Sequence, residues 1–379
     1  MKYNALTLDT QAFATNSYDL DGGWLAQVKQ FRDAPVQVVI SSVVARELRR
    51  QLADKIRSAR DKFEAATKKV AFYGLVAEPS EGLKLLDGPP ETIATSRIKS
   101  YLAGTGATLV PVKLISVEQL MTRYFKAEPP FATSGTKKAE FPDAVALMTL
   151  EAWARTESRH ILAVSADGDW ASFARTSLYI DVVPTVKEAL ALLQEHADEA
   201  RELAAALLTE IARNGSAAAT DFQARLDLEV SDASVDPVIE TSQHAEVEGG
   251  AGLVLNGFCL AGEAPDFDFS VVRWSASTLV VSLDLRLSVR AAAYIHFYGW
   301  DSVDKESIPI GGFLAERDVD DLEASVIVTW TMDLLDEAWS LVSVELVLIA
   351  DPDFGYVGMD WSDQDWDEPE EKSIEQGAS

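Results

Sequence analysis

A chain of 379 residues with 47% apolar content exceeds one ordinary core and can fill two. Its single cysteine, Cys259, excludes an intramolecular disulfide and a thiolate zinc site within the chain, and is expected to be a small buried residue. A net charge of −28 argues against a polyanionic partner, but the acid is segregated: residues 1–210 carry 25 Lys and Arg against 27 Asp and Glu, residues 211–379 carry 8 against 34.

The start reaches Asp9 too soon for a signal-peptide core, and no apolar run is long enough to span a bilayer. A soluble cytoplasmic chain without a membrane partner is the expectation. Short apolar runs at 3–8, 36–40, 107–110, 161–164 and 179–183 predict strands. Between them, 43–72 predicts a long helix, with Val44, Leu48, Leu52, Ile56 and Phe63 recurring near the helical period. A second helix is predicted over 141–155, with Pro142 and Asp143 in its first turn, and a third over 186–213, stopped by Asn214-Gly215. Strands alternating with helices build a parallel sheet covered on both faces.

Beyond Ser216-Ala217-Ala218-Ala219-Thr220, read as a linker, the pattern changes. Runs at 222–230, 253–260, 279–289, 293–298, 324–330 and 341–349 alternate or are β-branched, predicting a mainly antiparallel β-sandwich or barrel. The expected division is 1–213, a linker at 214–220, an acidic β-rich domain at 221–359 and an acidic disordered tail at 360–379. Trp274, Trp300, Trp330 and Trp339 are expected in the β core, while the acidic runs of this half lack the spacing of a calcium loop.

The informative residues are acids where strands end and helices begin, because ligands of an open parallel sheet gather outside the carboxyl ends of its strands. Asp9 follows the first strand in Leu6-Thr7-Leu8-Asp9-Thr10, and Glu47 lies early in the long helix, in Val44-Ala45-Arg46-Glu47-Leu48. Asp143 opens the next helix in Glu140-Phe141-Pro142-Asp143-Ala144, and Asp167 and Asp169 follow a strand in Ser165-Ala166-Asp167-Gly168-Asp169-Trp170. Taken singly, each could be a helix cap, a turn acid or a surface charge. Converging carboxylates cannot all stay ionised near pH 7 without a cation, and hard oxygen ligands select Mg²⁺ or Mn²⁺.

These four motifs, in this order, resemble the PIN-domain superfamily, and more closely its bacterial branch, over about residues 1–190. The resemblance implies a three-layer α/β/α domain around a parallel sheet. It further implies a metal-dependent endoribonuclease, toxin-like or RNA-processing, cutting single-stranded RNA. By motif, Asp9, Glu47, Asp143 and Asp167 would be the catalytic, metal-binding acids, with Asp169, Ser165 and Thr10 as auxiliary groups. PIN-like domains often pair, so a homodimer is among the partners implied, and the C-terminal β domain is a place for a protein partner. Two other readings stand beside this one: a catalytically silent PIN-like scaffold, and a DNA nuclease with the same acids.

Basic residues suited to phosphate contact are Arg46 and Arg50 on the long helix and Lys137 and Lys138 just before Asp143; the bland alternative is a solvated charged face. Phe131, in a loop before them, either stacks on a base or anchors that loop. The histidines, His160, His196, His244 and His296, fall outside all four motifs.

Overall fold

The computed structural model describes residues 2–73, 88–131, 141–194, 198–264, 266–301, 305–333 and 338–358. In chain order the first part runs β1 (Ala5–Leu8), α1 (Thr10–Thr15), α2 (Gly23–Gln27), β2 (Gln37–Ser41), α3 (Ser42–Phe72), α4 (Pro90–Thr105), β3 (Thr108–Val110), α5 (Val117–Phe125), α6 (Phe141–Thr156), β4 (Ile161–Val164), α7 (Gly168–Ala174), β5 (Ile180–Val183), α8 (Val186–Leu193), α9 (Asp198–Ala212) and α10 (Ala217–Ser231). The second part runs β6 (Val238–Glu240), β7 (His244–Leu260), β8 (Gly262–Glu263), β9 (Asp266–Phe267), β10 (Phe269–Ser275), β11 (Thr278–Asp301), β12 (Glu306–Met332), β13 (Trp339–Ile349) and β14 (Asp353–Tyr356).

The first five strands form one sheet in the order β3-β2-β1-β4-β5, all pairs parallel. Helices α3 and α6 pack on β2 and β3, while α8 packs on β4 and β5, giving the expected three layers. Strands buried on both faces need unbroken apolar runs, which β1 and β4 supply: every residue of both is fully buried. The chain leaves β1 in one direction and resumes at β4 on its other side. The crevice beyond the carboxyl ends of β1 and β4 is therefore the topological switch point.

Five helices, α1, α2, α4, α5 and α7, lie where no element was expected. Pro90 starts α4, and Gly106, at φ +65°, ends it in the left-handed conformation that glycine adopts freely. Ser116 and Gln119 form a reciprocal capping box that starts α5. The helix predicted over 186–213 is two, α8 and α9, the second opening with Asp198 and Glu199 in its first turn.

The strand predicted at 222–230 and the linker before it are a single helix, α10. Ser216 Oγ accepts the Ala219 N–H at its start, and Phe222, Leu226 and Val230, spaced by four, are all fully buried. The helical period, not the strand period, governs this segment.

Strands β10 to β13 form an open sheet in the order β10-β11-β12-β13, with β7 also pairing β11; the β10–β11 pairing is antiparallel, and the sheet does not close into a barrel. The two runs predicted at 279–289 and 293–298 are one strand. Alternate residues from Leu279 to Phe297 are buried without a change of phase, so no turn is needed at Arg290. Strands β6 and β14 form a separate parallel pair.

Two compact units emerge. One comprises residues 1–225, 260–284 and 325–347; the other comprises 226–259, 285–324 and 348–379. Within the first, Val272, Val280 and Ile327 belong to the same buried cluster as Leu6, Leu8 and Phe13. Lys187 Nζ meets both Asp284 carboxylate oxygens at 2.8 Å, and Gln30 donates to the Val272 carbonyl at 2.9 Å. In the second unit, Cys259 is exposed rather than buried, because the inward alternation of β7 at Ala251, Leu253 and Leu255 fades toward that end. Trp330 is buried as expected, whereas Trp274 and Trp339, stacked on each other, are only half-buried, and Trp300 is 69% exposed near the end of β11.

Candidate active site

Each acid sits where its local sequence starts a helix at the sheet edge. Asp9 terminates β1 and caps α1: its Oδ1 accepts the Thr10 N–H at 2.6 Å and the Thr10 hydroxyl at 3.2 Å. Asp9 is only 4% exposed. Ser165, just past β4, donates from Oγ to Asp9 Oδ2 at 2.9 Å and accepts the Asp167 N–H at 3.1 Å. One buried hydroxyl therefore joins the ends of β1 and β4. Asp167 caps α7 by accepting the Asp169 N–H at 2.7 Å. Asp169 itself is buried.

Asp143, half-buried in the first turn of α6, accepts from the indole N–H of Trp170 at 3.3 Å. Glu47, half-buried one turn into α3, accepts from Gln51 Nε2 at 3.0 Å; Gln51 in turn shares a 3.0 Å hydrogen bond with the Tyr18 hydroxyl. Sequence reasoning missed the supporting roles of Trp170, Gln51 and Tyr18. Trp170 stood in a quoted motif and Gln51 lies one helical turn after Glu47, but only side-chain direction reveals what each touches.

The charges of the other three acids are felt at Asp143. Asp143 has its pKa pushed up to about 6, first by burial and then by the negative charges of Asp9, Asp167 and Glu47, against the Trp170 hydrogen bond. Burial likewise raises Asp9, opposed by its bonds from Ser165 and Thr10 and reinforced by Asp167. Among the described residues, Asp9, Asp143 and Asp167 have no Lys, Arg or His ion pair, and Glu47 has only Arg50 at 4.0 Å, a pair exposed enough to bind weakly.

Among the described residues no three such side chains already stand in metal-ligating geometry. Buried and half-buried carboxylates with little cationic pairing among the described residues are chemically suited to a hard divalent cation.

Arg46 and Arg50 are exposed on α3, beside Glu47 in sequence. Lys137 and Lys138 lie outside the described residues, as does His196. Phe131 is 3% exposed and packs edge-on against Tyr124 and Phe141, so it anchors its loop and is not free to stack on a base. His160 lies against Tyr3 and Asp181, away from the acids.

Residues 6–170 match the PIN-domain family, a superfamily of nucleases; the C-terminal half matches no family. Comparison with curated proteins and with solved structures gave no match. The matched span begins at β1 and ends at Trp170 in α7, so it contains all four motif acids and Asp169. No described helix is long and apolar enough to cross a membrane.

Proposed function

We propose that the N-terminal domain is a metal-dependent endoribonuclease acting on single-stranded RNA, with Asp9, Glu47, Asp143 and Asp167 holding Mg²⁺ or Mn²⁺. The observation that carries this reading is the match of residues 6–170 to the PIN-domain family, which takes in all four acids; the raised pKa of Asp143, owed first to burial and then to the charges of the other three, supports it. Structural carboxylates are normally paired with cations or relieved by solvent, whereas clustered, uncompensated ones mark functional sites. A bound divalent cation would neutralise the set, polarise a phosphodiester and ease ionisation of an attacking water.

The chain's own groups do the positioning. Ser165 and Thr10 fix the Asp9 carboxylate in one orientation, Trp170 holds Asp143, and Gln51 holds Glu47. Asp169 supplies an auxiliary acid beside Asp167. Arg46 and Arg50, with Lys137 and Lys138, provide phosphate contacts that give affinity without reading sequence. A toxin-like or an RNA-processing role would use the same chemistry.

Incubating the full chain with single-stranded RNA, single-stranded DNA and duplex, in Mn²⁺ or in EDTA, tests the reading. Cleavage of single-stranded RNA in Mn²⁺, abolished by EDTA and by Asp143→Asn, is the expected result. Cleavage that survives either treatment assigns the activity elsewhere, and preference for DNA corrects the substrate. A folded protein that cuts nothing returns the scaffold reading.

A further inference from the structure

Helices α1, α3 and α4 line an open cavity of about 350 Å³, within the range of small-ligand sites. Its floor is apolar, from Ala14, Leu52, Ile56 and Ala59, and both of its charged lining residues are cationic, Lys55 and Arg97. Lys55 is exposed and has no acidic partner among the described residues, while Arg97 is hydrogen-bonded and ion-paired to Asp21 at 3.4 Å. Ser17 and Tyr18 form the remaining wall, at φ +52° and +56°. Two consecutive non-glycine residues in the left-handed region are uncommon, and such strain collects at ligand sites.

The cavity is tied to the candidate active site. Glu47, Gln51 and Lys55 follow at four-residue intervals on one face of α3, which sets Lys55 about 12 Å along the helix axis from Glu47. Tyr18, in the cavity wall, shares a hydrogen bond with Gln51, which donates to Glu47. A single strand with its scissile phosphate at the acids would reach this cavity with a neighbouring nucleotide. An apolar floor for a base with cationic groups at the rim for its phosphate is the recognition chemistry of such a unit.

We propose that this cavity binds one nucleotide of a single-stranded nucleic acid flanking the cut, its base on Leu52 and Ile56 and its phosphate against Lys55 and Arg97. The proposal rests on the nuclease reading for the identity of the strand, but it concerns binding and is tested without cleavage.

Fluorescence anisotropy with a labelled twelve-nucleotide RNA, and its DNA counterpart, is measured on the full chain in EDTA. Lys55→Ala removes a rim charge, and Ala59→Trp fills the cavity from an exposed helix position that leaves the melting temperature near that of the wild type. Each variant is expected to weaken Kd for the single strand about tenfold, while Ala59→Trp leaves binding of the duplex unchanged. An unchanged Kd in both variants, or no binding by the wild type, overturns the proposal. Saturation by an acidic peptide but not by the oligonucleotides overturns it in favour of a protein partner. The two readings separate cleanly: cavity-dependent binding without cleavage in Mn²⁺ upholds the cavity and removes the nuclease, and cleavage with KM unchanged in both variants does the reverse.

Discussion

Asp143 is half-buried, and burial first, then the charges of Asp9, Asp167 and Glu47, disfavours its ionised form. Because its folded pKa lies near 6, above the ordinary 3.8, the fold holds a proton there that the unfolded chain has released. Stability therefore declines as pH rises from about 4 to 6, by an amount on the order of 2–3 kcal/mol at most. Asp143→Asn keeps an oxygen for the Trp170 indole and removes the charge. In EDTA the variant should melt higher than wild type at pH 7 and lose that pH slope, while cleavage falls by about two orders of magnitude or more. Melting curves that run parallel in the two proteins would contradict the electrostatic account.

Ser165 offers a second residue-scale test. Its hydroxyl serves Asp9 and the Asp167 N–H at once, so Ser165→Ala leaves a buried carboxylate oxygen and a partly buried N–H short of a partner, at a cost of about 1–3 kcal/mol. Activity should drop about 10–100-fold, as for other groups that orient metal-binding acids. Denaturant unfolding and a cleavage assay read the two effects separately.

At the scale of elements, α10 is the segment where pattern and structure part. If it is the packed helix described, Phe222→Ala empties a fully buried site and costs about 3–5 kcal/mol in urea unfolding. A loss below about 1 kcal/mol would mean that Phe222 is not core. The five parallel strands were legible because each is a short apolar run, and α3 because its stripe of Val44, Leu48 and Leu52 keeps one phase. The segment 216–231 misled because an Ser-Ala-Ala-Ala-Thr stretch resembles a linker, and because Phe222, Leu226 and Val230 sit at even spacings that satisfy a strand as well as a helix. The acids were legible from their places at strand and helix ends. The indole of Trp170 and the amide of Gln51 were not, since their partners depend on rotamers that no spacing encodes.

Across the whole first unit, the parallel sheet and residues 260–284 and 325–347 share one core. A chain cut after residue 215 loses Val272, Val280 and Ile327 from that core, each fully or almost fully buried. At about 1.5–3 kcal/mol for each side chain, the truncated protein should melt well below the intact one. An unchanged transition would mean that the N-terminal sheet is self-sufficient. The Lys187–Asp284 pair belongs to the same seam. Burial alone would raise the Asp284 carboxyl, but hydrogen bonds from Lys187 and Ser325 hold it below its ordinary value. A depressed folded pKa adds stability above the unfolded value, near 3.9, that is lost as pH falls through the lower folded one. The melting difference between wild type and Asp284→Asn should accordingly be present at neutral pH and vanish in acid, once the pH falls through the lowered folded value.

The central claim is that four acids from separate segments of the chain serve one cation. Soaking crystals in Mn²⁺ and collecting anomalous data at its absorption edge tests it most directly. The account predicts a peak bounded by carboxylate oxygens of Asp9, Asp143 and Asp167, with Glu47 at the same cleft. Density at some other carboxylates, or none anywhere at saturating Mn²⁺, would contradict it.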